Sequence, residues 1–207
     1  MEMTPAAIEK IKLAPALDGV QELIRRRWSP RAFSARAVTA DQLRVLLDAA
    51  RWTASSYNEQ PWRFIVATKS SPEAFEKMLS VLVERNQLWA KNAPVLMLTV
   101  AKTTFSHSGQ PNRFAVHDTG MALATLMLQA TSMGLHAHGM AGYDRDRARS
   151  IFGIPADYEP AAAVAIGYLG DVDALPPEFR DAELAPRQRR PLNEMVFDAE
   201  WARQANI

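Results

Sequence analysis

The sequence predicts an α+β or α/β fold in which helices and strands stack in three layers. Three apolar segments have the length and composition of core strands, at 62–68, 93–101 and 161–170. Amphipathic helical segments lie between them and alternate irregularly with the strands. A further segment, 114–133, is apolar on nearly every face, which is typical of a helix buried at the centre of a fold.

Composition and charge exclude several classes of protein. The 207 residues suit one domain of ordinary size, with 48% hydrophobic and 23% charged residues. The formal net charge of +1 provides no overall field for nucleic acid or an anionic membrane, so any anion site has to be local. Because cysteine is absent, disulfides, thiolate nucleophiles, iron–sulfur clusters and cysteine-bound zinc are excluded.

Two observations indicate a cytoplasmic protein. The stretch MEMTPAAIEKIKLAPALD lacks the basic and apolar regions of a signal peptide. The longest apolar stretch, around 121–133, is interrupted by Thr, Gln and Ser and is too short to span a bilayer. We therefore expect neither a membrane nor a nucleic-acid partner.

The first two helices are predicted from their ends. Asp18 is the predicted N-cap of the first helix, which ends in the arginines at 25–27 and carries Val20, Leu23 and Ile24 on one face. The second helix starts at Thr39, where Thr39 and Gln42 form a capping box. Its predicted buried residues are Leu43, Leu46, Leu47 and Ala50.

The middle of the chain continues with the strand at 62–68 and a helix with Ser71 as N-cap. The predicted apolar residues of that helix are Phe75, Met78, Leu79, Leu82 and Val83. After the strand at 93–101 comes a polar loop at 102–113, followed by the long apolar helix, which Gly134 ends.

The C-terminal part begins with a short strand and turn, LHAHGMAGY. Asp144 caps a brief helix that ends at Gly153, and the strand at 161–170 follows. The tail at 171–207 is rich in Pro and Arg and only weakly periodic. Such a tail is either loose or wrapped over another surface, for example a partner subunit.

Two groups of arginines lie at opposite ends of the chain. The first, in RRRWSPRAF, comprises Arg25, Arg26, Arg27 and Arg31, with Ser29 between them. The second comprises Arg180, Arg187, Arg189 and Arg190. Guanidinium groups match phosphate oxygens, so the two groups could converge on one phosphate. The alternative is that both groups are solvated cations.

The four histidines do not predict a metal site. His136 and His138 would point to one face of a strand, but no acid or third histidine has a supporting spacing. His117 and Asp118 are interpreted as the polar entry turn of the long helix. The chain also lacks G-x-G-x-x-G, the P-loop motif and G-x-S-x-G, which argues against a dinucleotide-binding Rossmann domain, a P-loop and a hydrolase elbow.

The stretch TASSYNEQPWRFIVAT, at 53–68, has more hydroxyl and amide groups than a turn before a strand needs. With R-x-S-x-R-x-F at 27–33, it resembles the signature of the FMN-dependent nitroreductase superfamily. The second motif of that family, P-S-S-x-N-x-Q-P-W, is matched at 54–62 with Ala54 in place of the proline. Later matches are Asn86, the MAGYD turn with Gly142, and Arg187-Gln-Arg189 before Arg190-Pro191-Leu192.

The resemblance extends over residues 18–196 and implies an architecture. This is an α+β fold with three α/β/α layers, a mixed but mostly antiparallel sheet, a long buried central helix and a C-terminal arm. It implies one FMN-binding domain at 18–196, an N-terminal segment at 1–17, and an arm at 171–207 that packs on the partner. Members are homodimers with FMN at each end of the subunit interface.

The resemblance also implies roles for individual residues. Arg27, Ser29 and Arg31 would hold the FMN phosphate and ribityl chain or the N1–C2 edge of the ring, with Trp28 adjacent. Contacts to the ring and ribityl hydroxyls, expected from the other subunit, would come from Ser55, Ser56 and Asn58, with Gln60 in the same motif. Asn86 would bond the pyrimidine side, the backbone of Ala141 and Gly142 would lie near N5, and Arg187 and Arg189 would complete the phosphate site.

The implied activity is NAD(P)H-dependent reduction of nitroaromatics, quinones or similar planar acceptors by a ping-pong mechanism. No side chain is expected to act as acid or base, because the FMN carries the chemistry. Trp28, Ala141 and Trp89 depart from the family pattern, which leaves substrate range and the choice of NADH or NADPH open. Alternatives are a specialised dehydrogenase or dehalogenase of the same fold, a non-catalytic flavin-binding module, and a purely structural dimer.

Overall fold

The computed structural model describes residues 4–205, in which eight α-helices and four β-strands are found. In chain order they are α1 (Pro5–Ile11), α2 (Glu22–Arg26), α3 (Ala40–Arg51), β1 (Trp62–Thr68), α4 (Pro72–Ser80), α5 (Glu84–Ala90), β2 (Val95–Lys102), α6 (Ala115–Ser132), β3 (His136–Met140), α7 (Arg145–Phe152), β4 (Tyr158–Gly167) and α8 (Pro177–Leu184). Within residues 4–205, no helix has the length and apolar character needed to cross a membrane.

The four strands form one sheet in the order β1-β2-β4-β3. Each pairing is antiparallel, with Ile65 opposite Leu98 and Leu98 opposite Ala163 in register. The predicted α+β class is confirmed, and these strands are antiparallel throughout rather than mixed.

The sheet separates two hydrophobic clusters, which gives the three predicted layers. Along β2, Leu96 and Leu98 point into one cluster, whereas Val95 and Met97 point into the other. Residues of α4, α5, α7 and α8 complete the first cluster, and residues of α3 and α6 complete the second. A strand buried on both faces needs apolar residues at every position, and β2 is apolar at nearly all of them.

The predictions from helix-end signals are confirmed for α3 and α7. The Thr39 hydroxyl accepts the Gln42 N–H, and the Gln42 side chain accepts the Thr39 N–H. At α7, the Asp144 carboxylate accepts the Arg147 N–H, and Gly153 ends the helix with a left-handed φ of 60°.

The long helix is confirmed as α6, but only part of its surface packs within the chain. Its buried residues are Ala115, Asp118, Thr119, Ala122, Leu123, Leu126, Ala130 and Thr131. On the remaining surface, Val116 is 44% exposed, and Met121 and Leu128 are half-buried. The prediction of a helix buried on every face is therefore not met by one protomer.

Two other predictions need correction. The helix predicted from Asp18 begins only at Glu22, because a turn with Gly19 at a φ of 90° precedes it, and Leu23 and Ile24 are exposed. The helix predicted to carry Leu82 and Val83 ends at Ser80. Val83 is extended and lies at the N-cap of α5, a separate helix that the apolar pattern did not predict.

The predicted arm has two parts in the structure. Its first part, through α8, packs on the core of its own chain, with Phe179 and Glu183 buried. From Ala185 onward the residues are mostly exposed. The arm therefore has an anchored helix followed by an extended segment, which includes Arg187 and Arg189.

Candidate functional site

The structure brings arginines from both ends of the chain to one place. Arg27 follows α2, and its Nη1 lies 3.2 Å from the Ser29 hydroxyl. Burial, with the charge of Arg189 as the second cause, lowers the pKa of Arg27. Burial and the charges of Arg27 and Arg189 lower the pKa of Arg187. These three residues form what we call the arginine triad.

The arginine triad lacks acidic partners in the described part of the chain. None of its members forms an ion pair with a carboxylate of residues 4–205. Arg187 is fixed by backbone carbonyls instead, since its Nη1 donates to Arg25 O at 2.8 Å and Lys12 O at 3.3 Å. Like charges that are held together without a counter-charge favour an anionic ligand.

Trp28, between two of the predicted contacts, is buried with 5% of its surface exposed. Its ring lies edge-on to His136 at 5.7 Å, and Lys12 Nζ lies 5.1 Å from its centre. The indole nitrogen has no hydrogen-bond partner among residues 4–205. Trp28 thus packs beneath the segment that carries Arg27 and Ser29.

Arg31 packs against α8. Its guanidinium is 3.9 Å from the carboxylate of Glu183, a residue that is 1% exposed, and 5.7 Å from the centre of the Phe179 ring. The backbone beside it is also held, because the Arg31 and Ala32 N–H groups donate to the same Glu183 oxygen at 2.7 and 2.9 Å.

The predicted ring-contact loop, 55–60, has an unusual backbone. Tyr57, Asn58 and Gln60 have φ values of 52°, 53° and 51°, a region that non-glycine residues occupy at a cost of about 1–3 kcal/mol each. Inside the loop, the Ser55 hydroxyl accepts the Gln60 N–H at 3.0 Å. The side chains of Asn58 and Tyr57 are exposed, with 83% of the Tyr57 surface accessible.

Two carboxylates, Asp118 on α6 and Glu59 within the loop, hold this loop in place. Asp118 on α6, 2% exposed, accepts the Ser56 N–H at 2.9 Å. Glu59 accepts both the N–H and the hydroxyl of Ser106, and this hydrogen bonding lowers the pKa of the Glu59 carboxyl. The loop at 55–60 is therefore joined to α6 and to the loop after β2, and these contacts offset its strain.

Asn86 and Gly142, which are 56 residues apart in the chain, meet directly. The Asn86 side-chain amide donates to Gly142 O at 3.0 Å, and the Val83 N–H donates to the same oxygen at 3.1 Å. A Cβ on Gly142 would lie 2.7 Å from Asn86 Nδ2, so this approach requires glycine. The Gly142 N–H has no backbone acceptor among residues 4–205, and Ala141 precedes it after β3.

The histidines of β3 do not form a metal site. Within residues 4–205 no group of three or more His, Asp or Glu has metal-binding geometry. His138 Nδ1 lies 2.8 Å from Pro30 O and therefore carries its proton, since a carbonyl only accepts. Burial, opposed by this bond and reinforced by Arg31 and Arg27, lowers the pKa of His138 to about 4.

Apart from Asn86 and the Ala141–Gly142 turn, the predicted residues fall into two groups within one chain. Arg27, Ser29, Arg187 and Arg189 lie together, with Arg31 on the segment beside them. Ser55, Ser56, Asn58 and Gln60 form the other group, in the strained loop. Among residues 4–205, no hydrogen bond or ion pair joins the two groups.

Sequence reasoning did not identify Glu183, Lys12, Asp118 or Glu59 as part of this arrangement. A signal existed for Glu183, because it follows the apolar Phe179 by four residues and therefore shares its helix face. Asp118 was read as a polar entry turn, and its bond to Ser56 depends on how α6 packs against the loop at 55–60.

Comparisons with known proteins agree on one family. A sequence model of the nitroreductase family matches residues 24–168. A solved structure described as an oxidoreductase containing FMN is 38% identical, covers 93% of this chain and 97% of its own, and has a TM-score of 0.86. A Methanothermobacter thermautotrophicus protein, provisionally named NADH dehydrogenase/NAD(P)H nitroreductase, is 30% identical over 77% of this chain and 85% of its own. The Thermus thermophilus NADH dehydrogenase is 26% identical over 88% of this chain and 97% of its own.

Proposed function

This chain belongs to the nitroreductase family, and from that premise we propose that it reduces nitroaromatics, quinones or similar planar acceptors at the expense of NAD(P)H. It is an NAD(P)H-dependent oxidoreductase with FMN as its cofactor. When bound, FMN supplies the hydride-accepting N5 atom, and the protein supplies binding and orientation.

The arginine triad is the observation that carries this proposal. Arg27, Arg187 and Arg189 come from segments 160 residues apart. Burial and the charge of Arg189 lower the pKa of Arg27, burial and the charges of Arg27 and Arg189 lower the pKa of Arg187, and no carboxylate of residues 4–205 pairs with the triad. A phosphate monoester carries close to two negative charges and removes this repulsion. With the Ser29 hydroxyl beside them, the donors fit the FMN phosphate.

The Gly142 N–H, which has no backbone acceptor among residues 4–205, fits the ring of the cofactor. It lies in a turn that Asn86 and Val83 hold from the other side, so it is fixed before the ligand arrives. We assign this N–H to the N5 edge of the ring, and the Arg31 guanidinium to the N1–C2 edge, where negative charge accumulates on reduction. Both groups would then favour reduced flavin without any side chain acting as acid or base.

A homodimer is part of the proposal, with each FMN between two chains. It is supported by the apolar surface of α6 that one chain leaves uncovered, and by the lack of any hydrogen bond or ion pair between the two groups within residues 4–205. In the dimer, Ser55, Ser56, Asn58 and Gln60 of one chain would contact the FMN held by the arginine triad of the other. The segment after Ala185 would pack on the partner.

The loop at 55–60 also suggests why the acceptors are planar. Tyr57 presents an exposed ring that lies edge-on to Phe105 at 5.7 Å, and His107 lies 5.3 Å from Phe105. Aromatic surfaces of this kind pack favourably against flat aromatic molecules. We propose that NAD(P)H and the acceptor bind in turn beside these aromatic side chains, in a ping-pong cycle. The cytoplasm, where NAD(P)H is available, is the proposed location.

Purification and a turnover assay test the proposal. The protein should be yellow and should show flavin absorbance. It should oxidise NADH or NADPH over many turnovers only when a nitroaromatic or quinone is present. A colourless protein that does not bind added FMN would contradict the cofactor assignment. A yellow protein without NAD(P)H oxidation would instead identify a flavin-binding module.

A further inference from the structure

Glu183 has a role that the proposed phosphate and ring contacts do not include. It lies on α8, the anchored helix of the C-terminal arm, and its side chain is 1% exposed. One carboxylate oxygen accepts the N–H groups of both Arg31 and Ala32, while the other has no hydrogen-bond partner among residues 4–205. Burying a carboxylate has a large desolvation cost, which destabilises the fold unless nearby cations and hydrogen-bond donors offset it.

Two cations compensate this carboxylate. The guanidinium of Arg31 is 3.9 Å from the free Glu183 oxygen. Lys12 is 6% exposed and donates to the carbonyls of Ala182 and Ala185 at 2.9 and 2.7 Å, on either side of Glu183 in the chain. Burial raises the pKa of Glu183, and the two N–H bonds and the charges of Arg31 and Lys12 oppose that rise.

Arg31 belongs to the β3 side of the site rather than to the arginine triad. The carbonyl oxygen of Pro30, the residue before Arg31, lies 2.8 Å from Nδ1 of His138 on β3, and β3 leads into Ala141 and Gly142. The Arg31–Glu183 pair therefore lies toward the edge that we assign to the isoalloxazine ring.

We propose that Glu183 is a positioning residue that fixes the Arg31–Ala32 backbone and offsets part of the Arg31 charge, and thereby lowers the midpoint potential of the bound flavin. The inference rests on the proposed function, because it requires FMN beside Arg31. Reduction adds negative charge to the flavin, so a cation nearby favours the reduced form, and a buried carboxylate behind that cation weakens the effect.

The Glu183→Gln variant tests this directly. The substitution keeps a side-chain oxygen that accepts the two N–H groups but removes the negative charge. We expect reduced FMN to bind about tenfold more tightly relative to oxidised FMN, which corresponds to a midpoint potential about 30 mV more positive for a two-electron couple. The measurement is a spectroscopic redox titration of the purified flavoprotein.

Glu178→Gln is the matched control. Glu178 lies on the same helix and loses the same charge, but it is exposed to solvent, where screening reduces its effect. Its potential should equal that of the wild type. Equal potentials in Glu183→Gln and Glu178→Gln, or a more negative potential in Glu183→Gln, would overturn the inference.

A second measurement does not depend on the variant folding. In flavin-free wild-type protein, amide hydrogen exchange at Arg31 and Ala32 should be slow, as for core-strand amides, because Glu183 holds both N–H groups. Exchange as fast as at exposed amides would overturn the positioning role. If the wild type binds no FMN, the proposed function fails, whereas bound FMN with an unchanged potential in Glu183→Gln refutes only the inference.

Discussion

Replacing Gly142 by alanine should damage the contact between Asn86 and the turn after β3. The added Cβ would lie 2.7 Å from Asn86 Nδ2 and 3.0 Å from Val83 Cγ2, both well inside ordinary van der Waals contact. The Asn86 amide already donates to Gly142 O at 3.0 Å, so it cannot move away without breaking that bond. The clash therefore changes the turn and the Asn86 side chain together.

The expected cost combines two effects. A lost hydrogen bond costs about 1 kcal/mol, and overpacking in a closed contact costs about 1–3 kcal/mol. We expect the free energy of unfolding of flavin-free protein to fall by about 2 kcal/mol, which lowers Tm by about 4–8 °C in a chain of this length. FMN affinity should fall about tenfold, because the Gly142 N–H is displaced.

Urea unfolding and FMN titration followed by fluorescence would measure both quantities. Gly139→Ala is a suitable control for stability, since its Cβ would meet the flexible end of Met127 at 3.3 Å and Leu123 Cδ2 at an ordinary contact distance of 3.7 Å. In an Asn86→Ser background, which removes Nδ2, Gly142→Ala should lower the free energy of unfolding clearly less than it does in the wild type. Equal costs in the two backgrounds, or a cost no larger than that of Gly139→Ala, would refute the reasoning.

Three further predictions concern single side chains. Arg27→Ala should weaken FMN binding about 10- to 100-fold in a fluorescence titration, because a charge-assisted bond is lost. The control Arg44→Ala, which removes an exposed arginine, should leave FMN affinity unchanged. Equal FMN affinities in the two variants would mean that the phosphate is bound elsewhere. Asp118→Ala should lower the free energy of unfolding in urea by about 2 kcal/mol, because the Ser56 N–H loses its acceptor; no loss would show that the loop is held by other contacts. The pKa of His138 is about 4 in the folded protein and 6.5 ordinarily, so between these pH values the unfolded chain binds a proton that the folded chain does not. The free energy of unfolding should therefore fall by up to about 3 kcal/mol as pH drops from 6.5 to 4. Urea titrations should show a smaller fall in His138→Gln, and parallel curves of unfolding free energy against pH for the two proteins would contradict the assignment.

The elements that were predicted accurately are those with local signals. The capping box at Thr39 and the N-cap and glycine around α7 depend on residues a few positions apart, and β1 was predicted with its observed bounds at Trp62–Thr68. Predictions failed where tertiary contacts decide. The predicted helix does not continue to Val83, because the Val83 N–H donates to Gly142 O instead of to a helix carbonyl. No local sequence pattern reveals this contact.

The candidate site divides in the same way. The convergence of Arg27 with Arg187 and Arg189 was anticipated from residue type and from the family resemblance. The buried acids that hold the site could not be placed, since the role of Asp118 depends on α6 meeting the loop at 55–60, and that of Glu183 depends on α8 meeting Arg31.

The position of β4 between β2 and β3 has a consequence for protein synthesis. β3 leaves the ribosome before β4, yet it pairs only with β4 among the described strands, so the sheet stays incomplete until residue 167 has emerged. Glu183, Arg187 and Arg189 follow later still, and Arg187 emerges 160 residues after Arg27. Until residue 189 has emerged, a ribosome-bound chain lacks the complete arginine triad, so the proposed phosphate site cannot form before then.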